Sequence, residues 1–305
     1  MIYIKLSKKD KLSFKEKIKL MFNGFKKIEI GDSKIIVLEI FDFKEKTFSK
    51  LLKFIKENCV SRVCLSEDLF KDDKMVVFLY EQNVKIFDGK WLYKNLTMKI
   101  LDYIMEIKKD SLVNQEISIL TNSLDKTLVY IIENIASSAK VVNIITKNER
   151  LFKRLKNDLY NNYGIILNFY DNNKKALLKS SIILNYDYSS EEINRFLIPH
   201  NSVVINFENI VKINQKSFSG INILDYEASF SKNEMYKDEH FECFKKNHLI
   251  ESFLYKNTLP ENIKKAIEEN EINIIKLYGK NGEIKKIEYL KNIKKMANLL
   301  DKSEN

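Results

Sequence analysis

The sequence has little arginine: Arg62, Arg150, Arg154 and Arg195 are four of its 52 basic residues. Arginine is the usual residue for bidentate contacts to phosphate or guanine. Acidic residues are interspersed almost throughout, so the formal net charge of +10 reads as a solvated lysine surface and gives no strong nucleic-acid signal. Cysteine is also sparse. Cys59, Cys64 and Cys243 are an odd number without CxxC spacing, and the simplest expectation is reduced, buried thiols. His200, His240 and His248 do not cluster; the run His240, Cys243, His248 matches no strong zinc spacing, so no metal is expected. A Walker loop, a Gly-x-Ser-x-Gly elbow and a His-Glu-x-x-His pair are all missing. No run of 18 or more apolar residues occurs, which excludes a predicted membrane-spanning helix. The N-terminus is broken by lysines and offers no apolar core of signal-peptide length, so a cytoplasmic location is the expectation.

What is present suits a folded chain. Hydrophobic residues are 45% and charged residues 31%, which supplies a core and argues against extended disorder. A length of 305 residues suffices for two domains of ordinary size. We expect an N-terminal α/β domain with a connecting helix over 1–109, a Rossmann-like doubly wound parallel sheet over 110–230, and a mainly helical C-terminal extension over 231–305 that can pack back on the first domain.

In the first domain, Ile2–Leu6 reads as a strand and Ser13–Phe22 as a helix. Ser13 and Glu16 have capping-box spacing, and Phe14, Ile18, Met21 and Phe22 share one face. Lysines 8, 9, 11, 15, 17, 19, 26 and 27 surround that face. Such a helix can lie on an anionic membrane or a nucleic acid, but a helix covering a sheet has the same pattern, and the neighbouring strands favour the sheet. Strands Lys27–Ile30 and Ile35–Ile40 flank Gly31-Asp32-Ser33 as a hairpin. A helix Thr47–Asn58, a strand Arg62–Leu65, a helix near Asp73–Gln82 and a strand Val84–Phe87 follow. Asp88-Gly89 then leads into a long helix from Lys90 to about Lys108.

The central stretch alternates β-branched strands with segments of helical period, the pattern of a parallel α/β sheet. Strands are expected at Ile117–Thr121, Val141–Thr146, Ile165–Phe169, Ser181–Asn185 and Ser202–Phe207. Helices are expected at about Asp125–Ser138, Glu149–Tyr160, Asn173–Lys179 and Ser190–Phe196. Ligands in such sheets sit beyond the carboxyl ends of the strands. That rule selects Thr121, Asn122, Ser123, Thr146, Lys147, Asn148, Asp171, Asn172, Asp187 and Asn206 as a rim. Phe218–Leu224 reads as a turn into one more strand and Asp225–Lys237 as a polar connector. Helices at Asp238–Lys256 and Pro260–Asn270, a strand Ile272–Leu277 and a last helix from about Ile284 complete the chain.

The segments VVNIITKNERLFKRL, from Val141, and LLKSSIILNYD, ending at Asp187, resemble the second strand with its helix and the fourth strand of a family of nucleotide-binding domains. These are the NAD(P)-binding Rossmann domains of shikimate dehydrogenase and glutamyl-tRNA reductase. The resemblance covers about a quarter of the chain. It implies a smaller first domain, a linking helix and a dinucleotide site. The chain departs from the pattern at the phosphate turn, where Thr121 to Lys126 contains no glycine and Asp125 stands at the helix start. The second strand ends in Thr146, Lys147, Asn148 and Arg150 in place of the acid that binds a ribose, so a 2′-phosphorylated nucleotide would be favoured. A solvent-facing helix start with Asn148 as its cap is the simpler reading. Neither family's catalytic groups can be assigned: Cys59 and Cys64 lack a nucleophile's context, and lysines are too many to select one.

Two functional expectations follow. The first is a non-catalytic binding, scaffold or regulatory module with a degenerate nucleotide site and no cofactor, its partner an unidentified small molecule or protein. The alternative is an NAD(P)-dependent oxidoreductase holding NADP(H) through Asn122, Ser123, Lys147, Asn148 and Arg150. The catalytic residues and the oligomeric state are not legible.

Overall fold

The computed structural model describes residues 1–8, 12–30, 35–42, 44–171, 173–230, 238–258 and 262–285. Its contacts divide the chain into two compact α/β units: Met1–Leu92 with Phe230–Ile272, and Tyr93–Ser229 with the residues from Asn273 onward.

The first unit begins with β1 (Ile2–Leu6), α1 (Phe14–Asn23), β2 (Phe25–Ile30), β3 (Ile35–Ile40), α2 (Glu45–Glu57) and β4 (Arg62–Leu65). It continues through α3 (Glu67–Phe70), α4 (Asp73–Glu81), β5 (Lys85–Ile86) and the start of α5 (Lys90–Asn95). The sheet order is β2-β3-β1-β4-β5, with only the β2/β3 hairpin antiparallel. The predicted turn residues of that hairpin lie outside the described residues. Ile4, Leu38, Leu51, Ile55, Val63 and Leu79 form the core on one side of the sheet. Gly89 has φ +84°, a left-handed conformation that suits glycine at this turn.

Helix α1 forms where expected, with Ser13 and Glu16 in a reciprocal capping box. Its predicted burial is overturned: Phe14, Met21 and Phe22 are 78%, 78% and 76% exposed, and Ile18 is 42% exposed. The helix turns Leu20 and Glu16 inward instead, Glu16 bonding Lys26 of β2 at 2.9 Å. The expectation of buried thiols also holds only for Cys64, since Cys59 and Cys243 are exposed; all three are free.

The second unit starts within α5, which stops at Asn95 before α6 (Thr97–Lys108) resumes. The single long helix expected here is therefore two, and the Thr97 hydroxyl bonds the Lys94 carbonyl at the break, 2.6 Å away. Next come β6 (Glu116–Leu120), α7 (Lys126–Ala136), β7 (Val141–Ile145), α8 (Lys153–Tyr163), β8 (Asn168–Tyr170), β9 (Ile182–Asn185), α9 (Ser190–Ile193), β10 (Val203–Asn206) and β11 (Ile221–Ile223). All pair in parallel in the order β11-β10-β9-β6-β7-β8. The chain thus winds outward twice from β6, and the direction reverses between β6 and β9. Apolar runs such as Ile182-Ile183-Leu184 are buried throughout, as a sheet covered on both faces requires.

No helix forms over Asn173–Lys179. Successive turns close there through Ala176 N–H to Asn173 and Ser180 N–H to Leu177, and Leu197 N–H takes the Lys174 carbonyl. The connector expected from Asp225 is a strand, β12 (Asp225–Phe230), because Tyr226 and Ala228 alternate inward. It pairs with β13 (Ile272–Gly279), which turns back into β14 (Gly282–Glu283), so the C-terminal region carries a small sheet besides its helices.

Those helices are α10 (Lys246–Asn257) and α11 (Ile263–Glu269), both in the first unit. Pro260 lies outside the described residues. Phe241 and Phe244 meet Tyr3 edge-on at 5.1 and 5.7 Å, and Ser252 of α10 bonds the Tyr3 hydroxyl at 2.8 Å. On the same helix, His248 and Glu251 are 2% and 1% exposed. Glu251 Oε1 lies 3.8 Å from Arg62 Nη1, a guanidinium stacked over Tyr255. Glu251 Oε2 and His248 Nδ1 have no hydrogen-bond partner among the described residues. Burial pushes Glu251 up to about 8, with Asp88 adding to the rise and Arg62 opposing it. Burial pushes His248 down to about 4, with Lys245 adding to the fall.

These shifts act oppositely on stability. Between about pH 4.5 and 6.5 the folded state holds a proton on Glu251 that the unfolded state releases, and lacks one on His248 that the unfolded state binds, so the two slopes offset. From about 6.5 to 8 Glu251 makes stability fall as pH rises, and the Met1 ammonium, which burial lowers from its ordinary value of 8.0, opposes part of that fall. Thermal melts should show a decline over that window worth up to about 2 kcal/mol. Glu251→Gln should flatten it; an unchanged slope in the variant would remove Glu251 as the cause.

Candidate nucleotide-type rim

The carboxyl ends of β6, β7 and β9 bring together most of the polar residues marked by the sequence. After β6 the backbone leaves the sheet at Thr121, and Asn122 and Ser123 present their amide N–H groups before Asp125 opens α7. Asp125 accepts from Leu128 N–H at 2.8 Å and caps that helix with its own carboxylate.

The neighbouring loop, after β9, places Asp187 against the same turn. Asn122 N–H lies 2.9 Å from both carboxylate oxygens, Ser123 N–H donates at 3.1 Å and the Ser123 hydroxyl at 2.9 Å. The Thr121 hydroxyl, which donates to the Ser123 carbonyl at 2.7 Å, lies 3.3 Å from the same carboxylate. These are charge-assisted bonds from fixed backbone donors, the arrangement by which helix-start turns hold anions. The anion here is part of the chain.

A second layer fixes this pair. The Asn122 side-chain oxygen accepts Lys147 N–H at 3.1 Å and faces the Tyr188 hydroxyl at 3.5 Å. Burial raises the Tyr188 phenol, and Asp187 beside it adds to the rise. The Lys147 ammonium meets Glu192 at 2.5 Å, and this contact, with the Ser189 amide, holds the Glu192 carboxyl below its usual range. Glu192 is also the inner member of a capping box with Ser189 at the start of α9.

Of the five predicted contact residues, Asn122, Ser123 and Lys147 are thus joined in one network. Asn148 donates its N–H to the Thr146 hydroxyl at 3.0 Å and occupies the cap position of a short 3₁₀ turn, its side chain making no cap bond. Arg150 is exposed on that turn. Asn206, expected on the rim, is buried instead: it joins Asn185 to Asn222 and the Ile223 carbonyl in an internal ladder. Asn172 lies outside the described residues. Among the described residues no group of three or more His, Cys, Asp or Glu could hold a metal ion.

The first unit contains a polar cavity of about 540 Å³ at the carboxyl ends of β1 and β3, lined by Lys5, Lys26, Glu39 and His240. Lys5 Nζ lies 3.2 Å from Glu39 and 3.3 Å from His240 Nδ1. Sequence reasoning passed over it. The available signal was a charged residue in each of two otherwise apolar strands, Lys5 in IYIKL and Glu39 in IIVLEI.

No protein-family model matches the chain, and no curated protein matches it in sequence. Solved structures give a distant resemblance. L-tryptophan dehydrogenase from Nostoc punctiforme aligns over 87% of this chain and 78% of its own, at 8% identity and a TM-score of 0.37. Shikimate 5-dehydrogenase from Listeria monocytogenes aligns over 87% and 95%, at 10% identity and a TM-score of 0.34. A putative aspartate carbamoyltransferase from Trypanosoma cruzi covers 83% of this chain and 79% of its own, at 9% identity and a TM-score of 0.28. Overlaps this loose carry no functional argument; the fold description rests on the strand order itself.

Replacing Asp187 by alanine removes the acceptor of Asn122 and Ser123. Because the site is partly open, water can take over some of these bonds, and the expected loss is about 1–2 kcal/mol in chemical denaturation. Amide exchange at Asn122 and Ser123 should accelerate specifically. Unchanged exchange there would mean that the carboxylate does not hold the turn.

Proposed function

We propose that this protein is a non-catalytic binding or regulatory module built on a Rossmann-like sheet whose dinucleotide phosphate site is closed by the chain itself. The observation that carries the reading is the Asp187 carboxylate on the amides of Asn122 and Ser123. A pyrophosphate at this turn would need the same donors. It would also meet the carboxylate's charge: like charges about 4 Å apart cost roughly 4 kcal/mol at the effective dielectric of a protein surface. Asp125 at the start of α7 adds a second acid beside the path a phosphate would take. Cβ atoms from Thr121 to Lys126 deny the close backbone approach that glycines allow.

One observation favours the oxidoreductase as a second reading. The order β11-β10-β9-β6-β7-β8 is that of a doubly wound dinucleotide-binding sheet, with the rim at its switch point. Lys147 and the exposed Arg150 after β7 would then meet a 2′-phosphate, which requires Lys147 to leave Glu192.

Calorimetric titration with NADPH, NADP, NADH and NAD separates the two. The expected result is no saturable binding in the micromolar range for the unaltered chain, and weak, salt-sensitive binding gained by Asp187→Ser. Micromolar binding of NADPH by the unaltered chain, abolished by Lys147→Ala or Arg150→Ala, would replace the first reading with the second.

A further inference from the structure

Helix α1 departs from its surroundings in a way that the nucleotide-type rim does not explain. Single exposed apolar side chains are ordinary on any protein. Phe14, Ile18, Met21 and Phe22, however, recur at i, i+4, i+7 and i+8, so their exposed side chains form one stripe along the helix. The stripe faces outward because the helix is attached by its other side. Leu20 and Gly24 line a cleft with Phe41 and Thr47, and Glu16 bonds Lys26 and the Ser13 amide.

Both ends of the helix are fixed. The capping box holds the start, and the Lys50 ammonium bonds the carbonyls of Met21 and Phe22 at the finish. Gly24 closes the last turn with φ +79°, a conformation that strains any other residue. The apolar face is therefore presented by a helix already formed, with no folding left to be done when it is covered.

The charge around the stripe indicates what covers it. Lys17 neighbours Phe14 and Met21 on one border, while Lys15 and Lys19 neighbour Ile18 and Phe22 on the other; all three are exposed. Lys46 and Lys50 stand beside Met21 at the helix end. The helix carries one acid, Glu16, which its bonds to Lys26 and Ser13 hold ionised, down to about 2, on the inward side. Nearby Asp42 is engaged by the Thr47 hydroxyl at 2.6 Å, and Glu45 is exposed. An apolar stripe bordered by lysines matches a bilayer with anionic headgroups, where apolar side chains enter the acyl boundary and lysines remain among the phosphates. A nucleic acid would use the lysines and leave the stripe wet. The helix has ten residues, far fewer than the roughly 20 needed to span a bilayer.

We infer that α1 docks this protein onto anionic lipid membranes, with Phe14, Ile18, Met21 and Phe22 as the inserted face and Lys15, Lys17 and Lys19 as the headgroup contacts. The inference is independent of whether a nucleotide binds in the second unit.

Flotation of the full chain with large unilamellar vesicles tests it. The protein should float with phosphatidylcholine vesicles containing phosphatidylglycerol and stay behind with phosphatidylcholine alone, and added salt should weaken the binding. The double variant Phe14→Ser/Phe22→Ser and the triple variant Lys15→Glu/Lys17→Glu/Lys19→Glu should each reduce the bound fraction about tenfold or more. Circular dichroism should match the unaltered chain, because all five positions are exposed. Phe14→Trp should give a blue shift on anionic vesicles beyond any change from Trp91. No flotation overturns the inference, as does flotation indifferent to both variants. Self-association abolished by Phe14→Ser/Phe22→Ser without flotation would assign the face to a second copy. Oligonucleotide binding lost in the lysine variant alone, again without flotation, would assign it to nucleic acid.

Discussion

The Asp187 carboxylate settles an electrostatic problem that the parallel sheet creates for itself. Every crossover helix in such a sheet starts at the same edge, so partial positive charge and unpaired amides collect at the carboxyl ends of the strands. At the switch point the loops after β6 and β9 part, and the amides of Asn122 and Ser123 face the gap. Many proteins with this topology recruit an anionic ligand there. In this chain Asp187 takes the amides, Asp125 caps α7, and Glu192 caps α9 while pairing with Lys147. Acids of the chain itself meet the amides at the starts of α7 and α9, and the network extends through Asn122 and Tyr188 into the sheet.

The alternation of strands and helices follows from features legible in the sequence. Apolar runs such as Ile182-Ile183-Leu184 mark doubly covered strands, and Ser13 with Glu16 marks a helix start, because both signals are local and each has one dominant physical cause. Signals with two causes failed. The stripe of α1 has the period of a buried face and is exposed, since period reveals that apolar residues are aligned and nothing about what meets them. Asn173–Lys179 has helical composition but closes as successive turns, and Asp225–Phe230 has polar composition over a period of two that pairing with β13 rewards.

The rim was half legible for a related reason. The missing glycines at Thr121–Lys126 could be read directly, and so could Asp187 as a rim member. That Asp187 bonds Asn122 could not, because the two residues are brought together by sheet order alone, across 65 positions of sequence. The same holds for the cavity at Lys5 and Glu39 and for Glu251 near Arg62, pairings between distant strands and helices that no local pattern encodes.

The contrast between Glu251 and α1 bears on how the first unit is built. Glu251 is a polar group kept inside, where its burial opposes ionisation and is only partly offset by Arg62. The stripe of α1 is the converse, apolar groups kept outside. Burying a large apolar side chain is worth roughly 1.5–3 kcal/mol, so Phe14, Met21 and Phe22, left largely in water, forgo a substantial fraction of the 5–15 kcal/mol that typically stabilises a domain. The helix does not roll inward because the Glu16 to Lys26 pair and the Lys50 bonds, which reach from the helix to β2 and α2, hold its present rotation. Specific polar contacts that hold a hydrophobic face outward oppose the hydrophobic effect within the folded chain. They are consistent with a resting geometry completed by a surface outside it.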